Sequence, residues 1–444
     1  MTDSRMRFRL GRTFSAQIYS QVVTVACQLA LVPLLLGVWG ANRYGAWLVL
    51  TALPTFLTFS DFGFTFVAKN EMVIAVARGN RALALGVFQS IFGLLNIVAP
   101  IIGIAIMFAI FAFDPAFHLS IKGVDVGEVR WTLMAFGANV LLYQYFLLIC
   151  AGIRADNRPA TESIWGATAR LSENLAYGIG AICTHDLALV AGLGLCSRIV
   201  FLVASYCALL RISPWLRLGL SAATRREIAR LSHPAFAYML VPIGQALLIQ
   251  GPVVILGKFA GPLAVVIFST SRTLTRLGTA VTNMFNNTFV AEYSAAAGRG
   301  DIKSFTKLQR IQLSISSLVI VCYVSGLFVL SSPAMRLFTH GRVNVVQPFF
   351  LIMTLSVAAE MLWTAQFTAI SAVNRHKIVT YWLAGMSVAG LAIYYLVAGK
   401  TGIFAAALTI FLVHSAMIFV CAWASRRQRL IEDTQLSASA WSDA

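Results

Sequence analysis

Apolar windows of about 20 residues recur along this chain, and each can cross a bilayer core as one helix. Twelve such spans are read, at 14–38, 44–67, 82–112, 130–151, 161–182, 187–210, 232–256, 262–290, 311–331, 347–371, 378–398 and 402–424. The fifth is the least apolar, because it holds Arg170 and Glu173. The whole chain agrees with its windows. Of 444 residues, 59% are hydrophobic and only 11% charged, where a soluble protein carries about a quarter charged. The expected fold is an all-α integral membrane protein of about twelve transmembrane helices.

Charge sets the orientation. With the N-terminus placed in the cytoplasm, the inside segments hold 23 of the 34 lysines and arginines and the outside segments seven; the other four lie within spans. The inside groups include Arg5, Arg7, Arg9 and Arg12, then Arg211, Arg217, Arg225, Arg226 and Arg230. This bias predicts cytoplasmic N- and C-termini. It also accounts for the net charge of +17 without nucleic acid, for which no basic-aromatic motif is present. The seven cysteines form no CxxC pair and read as small apolar packers, with no disulfide framework, metal site or cofactor expected. The apolar run after Arg12 is too long for a signal peptide and reads as a retained first span.

The longest internal hydrophilic connection divides the chain. The expected units are a six-helix lobe at 1–211, a cytoplasmic linker at 212–231, a second six-helix lobe at 232–425 and a tail at 426–444. The halves echo one another. Leu36-Gly37 returns as Leu256-Gly257, Arg78-Gly79-Asn80 as Arg299-Gly300-Asp301, and Asn157-Arg158 with Trp165 as Asn374-Arg375 with Trp382. Three matches in one order at nearly one shift indicate duplication. An even number of helices per repeat gives both halves the same orientation, and transporters built this way hold substrate between the halves.

Within these segments, Pro33-Leu-Leu-Leu-Gly37, Tyr44-Gly45-Ala-Trp47 and Ser60-Asp61-Phe-Gly63-Phe64 resemble the start of bacterial polysaccharide-biosynthesis flippases. These are the O-antigen (Wzx-type) members of the multidrug/oligosaccharidyl-lipid/polysaccharide (MOP, MATE-like) exporter superfamily. The Gly79-Asn80 and Gly300-Asp301 turns and the two Asn-Arg loops are similar as well. The resemblance implies a V-shaped pair of six-helix lobes with helices 1, 2, 7 and 8 facing the cleft. It further implies a multi-pass protein of the bacterial inner membrane that flips an undecaprenyl-diphosphate-linked oligosaccharide for surface polysaccharide biosynthesis. A monomer is expected, with H+ or Na+ as the candidate coupling ion.

The residues point to where such cargo would bind. Arg272, Arg276, Thr279, Asn283 and Asn286 recur at steps of four and three, one stripe of a single helix. Mid-membrane arginine costs about 3 kcal/mol, so two on one face call for an anionic partner or a wet cavity. Guanidinium groups suit a diphosphate, and asparagines suit sugar hydroxyls. Helix 1 carries a second stripe of Gln17, Gln21, Thr24 and Gln28, which serves either cargo or helix–helix hydrogen bonding. Arg170 is expected to pair with Glu173, three residues on, which leaves Arg198 as a further cavity candidate. Asp61 and Glu360 are lone span carboxylates, each either an ion-coupling site or a partner for an arginine. His414 reads as a packed histidine.

Three functions are weighed. The leading one is the lipid-linked oligosaccharide flippase, working by alternating access through a basic central cavity. A cation-coupled multidrug antiporter of the same fold is the alternative, although four span arginines against three span carboxylates favour anionic cargo. A membrane glycan polymerase or ligase is disfavoured, since the longest outside loop is only about 113–129. No P-loop, HExxH or nucleophile elbow is present, so no enzyme activity is expected.

Overall fold

A computed structural model describes residues 3–56, 63–112, 124–339 and 343–427. It is all-helical over those residues. In chain order the helices are α1 (Asp3–Phe56), α2 (Phe64–Ala77), α3 (Arg81–Ala112), α4 (Val126–Ala155), α5 (Pro159–Cys183) and α6 (Leu187–Ile212). Then follow α7 (Arg225–Phe259), α8 (Gly261–Thr275), α9 (Leu277–Gly298), α10 (Ile302–Thr339), α11 (Phe349–Ala372) and α12 (Lys377–Arg427). Seven of these are long and apolar enough to cross a membrane by length and composition.

The helices do not match the twelve expected spans one to one. The first span and the start of the second form one helix, α1, turned at Gly40 with φ 71°. The last two spans form α12, turned at Gly402 with φ 53°. Both angles lie in the left-handed region, where a residue without Cβ is unstrained. The eighth span is broken into α8 and α9 at Arg276.

The chain forms two compact units, Met1–His233 and Pro234–Ala444. In the first, α1 packs on α5 and α4 on α6. Its core near Trp39 is aromatic: Trp47 lies edge-on to Trp39, Phe136 and Tyr177 at centroid distances of 5.3, 5.0 and 5.3 Å. Such contacts contribute about 1 kcal/mol each beyond area. In the second unit, α9 packs on α11 and α11 on α12. Small residues make the first of these close: Ala295, Ala296 and Ala297 on α9, and Ala365, Ala369 and Ala372 on α11, are buried. Ser294 Oγ donates to the Ala372 carbonyl at 2.7 Å across that contact. On α3, Ile97, Ile101, Ile104 and Phe108 are exposed at steps of four, three and four, a face that suits lipid.

The repeated motifs adopt the same local structure in each unit. Gly79 and Gly300 have φ of 79° and 67°. The next residue's N–H reaches back to a helical carbonyl, Asn80 to Ala75 at 2.9 Å and Asp301 to Ala296 at 3.0 Å. Each following side chain then caps the next helix, Asn80 accepting from the Leu83 N–H and Asp301 from the Ser304 N–H, both at 2.9 Å. Asn157 and Asn374 are likewise left-handed, with φ of 59° and 57°.

Candidate functional site

The second unit contains a narrow cavity with room for about one water molecule. α7 contributes Gln245, α8 Arg272, α11 Ser356 and Glu360, and α12 His414, with Arg276 at the break between α8 and α9. Ser356 and Glu360 are four residues apart, as are Arg272 and Arg276, so each pair points the same way from its helix turn.

The helix break is what sets Arg276 apart. At the break the Thr279 N–H turns to the Arg276 carbonyl at 3.1 Å, while the Arg272 carbonyl keeps the Arg276 N–H at 2.9 Å. Thr275 Oγ1 and Thr279 Oγ1 also donate to these two carbonyls, at 3.1 Å and 2.7 Å. Tyr323 on α10 donates its hydroxyl to the Thr275 carbonyl. The Tyr323 ring reaches this point because residue 278 is glycine: a Cβ there would lie 2.6 Å from the ring. Neither residue is prominent in the sequence, since no proline or glycine marks position 276 itself.

Arg276 grips Glu360 with both arms, Nη1 to Oε2 at 2.7 Å and Nη2 to Oε1 at 3.0 Å. The carboxylate is buried, while the guanidinium side chain is 27% exposed. His414 Nε2 is 3.7 Å from Glu360 Oε2. Its Nδ1 accepts the Trp363 indole N–H at 3.0 Å, so a neutral ring carries its proton on the side facing Glu360. Arg272 donates to the Ile249 carbonyl and lies over the Phe268 ring, 5.8 Å from its centroid. Among the described residues Arg272 forms no ion pair. The cavity thus carries two guanidinium groups over one carboxylate.

The rest of the arginine–asparagine stripe is divided by the break. Asn283 is exposed. Asn286 is buried and accepts from Gln312 Nε2 at 2.8 Å, while Gln312 Oε1 accepts the Tyr293 hydroxyl at 2.7 Å. That network joins α9 to α10.

The remaining candidates lie in the first unit. Glu173 does not pair with Arg170. Its carboxylate takes Arg198 from α6, together with the Tyr177 hydroxyl at 2.8 Å and the Asn139 amide at 2.7 Å. Arg198 Nε also donates to Asn139 Oδ1 at 3.0 Å, and its guanidinium covers the Tyr143 ring at 4.6 Å. Arg170 reaches Thr24 on α1 instead. The acid is satisfied by one guanidinium N–H from a neighbouring helix together with the Tyr177 and Asn139 donors. On α1, Gln17 donates to Ser163 Oγ on α5 at 2.8 Å, a helix–helix bond, and Gln21 is half-buried. Asp61 and the side chain of Gln28 lie outside the described residues.

No family model and no curated protein matches this chain. Solved structures do. A MATE protein in its bent conformation aligns with TM-score 0.78 at 12% identity, covering 97% of each chain. The chain has the MATE fold. An outward-facing multidrug resistance MATE family transporter of the MOP superfamily aligns with TM-score 0.72 at 12% identity, covering 96% of each chain. A MOP superfamily transporter from Pyrococcus furiosus, described as having a binding pocket of reverse polarity that suggests a different function, aligns with TM-score 0.71 at 12% identity, again over 96% of each. The chain is a multi-pass membrane protein.

Proposed function

We infer that this chain is a transporter that flips an undecaprenyl-diphosphate-linked oligosaccharide across the bacterial inner membrane, with Arg272 and Arg276 meeting the diphosphate. The observation that carries the reading is the excess of guanidinium over carboxylate in the cavity of the second unit. Each mid-membrane arginine costs about 3 kcal/mol to hold there. Arg276 recovers that cost from Glu360, and Arg272 obtains only a carbonyl. A doubly charged diphosphate would give Arg272 an anion and a bidentate partner. The cavity has room for about one water molecule, so it has to widen before a diphosphate reaches the two arginines.

The fold is shared with multidrug transporters, so cavity polarity has to separate the two functions. An organic cation needs a free carboxylate. Glu360 is already occupied by Arg276, which disfavours that cargo. The pocket of reverse polarity described for the Pyrococcus furiosus transporter supports the idea that this fold accepts more than one sign of charge.

The test is the double variant Arg272→Ala/Arg276→Ala. It is expected to reach the membrane at normal level and to abolish surface glycan. Normal glycan from that variant, or drug efflux that survives it, would remove the diphosphate reading.

A further inference from the structure

Residues 213–224, between α6 and α7, are fastened along α3 in the first unit. Gln89 Nε2 donates to the Arg217 carbonyl at 3.1 Å, and its Oε1 accepts the Ala222 N–H at 2.7 Å. Ser90 Oγ accepts the Thr224 N–H at 2.9 Å. Gly86 lies against the Ala222 carbonyl and Gly93 against Leu220, which an added Cβ would meet at 3.4 and 3.1 Å. Gly86, Ser90 and Gly93 share one face of α3. That face runs on, at steps of four, four, three and four, into the exposed Ile97, Ile101, Ile104 and Phe108. The segment therefore stops where a face suited to lipid begins. From Gly93 to Phe108 the helix rises about 22 Å, most of a hydrocarbon core of about 30 Å. That places the segment at headgroup depth.

Its side chains suit that depth. Leu220 is 60% exposed beside Gly93. The Arg81 guanidinium lies over the half-buried Trp215 ring, 5.7 Å from its centroid. Arg81, Arg217 and Arg225 are exposed, and among the described residues none of them forms an ion pair. Arg217 spends only its Nε, on the Pro214 carbonyl at 2.9 Å. Arg230, by contrast, is held by both Glu71 and Glu227. We propose that this segment is a binding site for an anionic phospholipid. Arg81, Arg217 and Arg225 meet the headgroup phosphate, and Leu220, Ile97 and Ile101 lie beside an acyl chain. Guanidinium groups alone would accept any soluble anion. The exposed leucine and the apolar stripe that continues from it single out a lipid. The site is independent of what the chain carries.

The experiment titrates the full-length protein in neutral detergent with phosphatidylglycerol or phosphatidylcholine and counts retained lipids by native mass spectrometry. The unaltered protein is expected to retain phosphatidylglycerol in preference, and the preference should shrink as salt rises. Replacing Arg81, Arg217 and Arg225 by glutamine should weaken phosphatidylglycerol about fivefold for each arginine removed and leave phosphatidylcholine unchanged. The control variant Arg299→Gln/Lys303→Gln/Arg310→Gln removes as many exposed basic residues from the second unit and should keep the preference. Soluble glycerol 3-phosphate should not displace the bound lipid. Equal retention of the two lipids by the unaltered protein overturns the proposal without relying on any variant. An equal loss in the control variant also overturns it, because net charge would then be the cause. Displacement by glycerol 3-phosphate would reveal an anion site without an acyl contact, and the lipid assignment would fall.

Discussion

Arg198 and Arg276 each pair with a span carboxylate, yet their surroundings give them different uses. Arg198 is 8% exposed and meets Glu173, Asn139 and the Tyr143 ring. Arg198 Nε and Nη2 take their partners from α4 and α5, so the cluster reads as a bolt holding three helices. Arg276 is more exposed, has one carboxylate, and shares a cavity with a second arginine. Removing one member of a sealed pair leaves the other buried and uncompensated, at about 3 to 5 kcal/mol. Glu173→Ala is therefore expected to lower the melting temperature sharply, as followed by thermal unfolding in detergent. Glu173→Leu combined with Arg198→Met should recover most of the loss. A single variant as stable as the parent would show that the cluster holds nothing together.

At the scale of elements, the turns were legible and the pairings were not. The Gly-Asn and Gly-Asp turns and the Asn-Arg loops stand in the sequence because left-handed backbone restricts the residue type. The break at Arg276 depends instead on Tyr323 and Gly278, one of them on another helix. A four-and-three stripe read as one helix could not reveal it. Glu173 also had two arginines within reach, and only tertiary packing decides between them. The turns themselves can be tested. A Cβ added at Gly79 meets no atom within 4 Å, but φ there is +79°. Gly79→Ala should therefore cost about 1 kcal/mol through backbone strain alone. Gly326, inside α10, is equally open and has helical backbone, so Gly326→Ala should be neutral or stabilising. Equal melting shifts for the two variants would contradict the strain argument.

For the whole molecule, hydropathy was enough to give the fold class, because spans of this length have few alternatives in a bilayer. Orientation is a separate matter, carried by the basic residues rather than by packing. Lysine and arginine in short loops resist translocation, and from the 23-to-7 distribution we propose that both termini are cytoplasmic. Arg225, at the start of α7, and Lys400, in the middle of α12 beside the Gly402 turn, are both exposed and are assigned to opposite sides. With the seven native cysteines replaced, Arg225→Cys should react with a membrane-impermeant maleimide only in inverted vesicles. Lys400→Cys should react in intact cells. Each substitution removes one basic charge, which leaves the overall bias strong. Labelling of Arg225→Cys from outside would reverse the orientation and place any cytoplasmic loading of cargo at the wrong face.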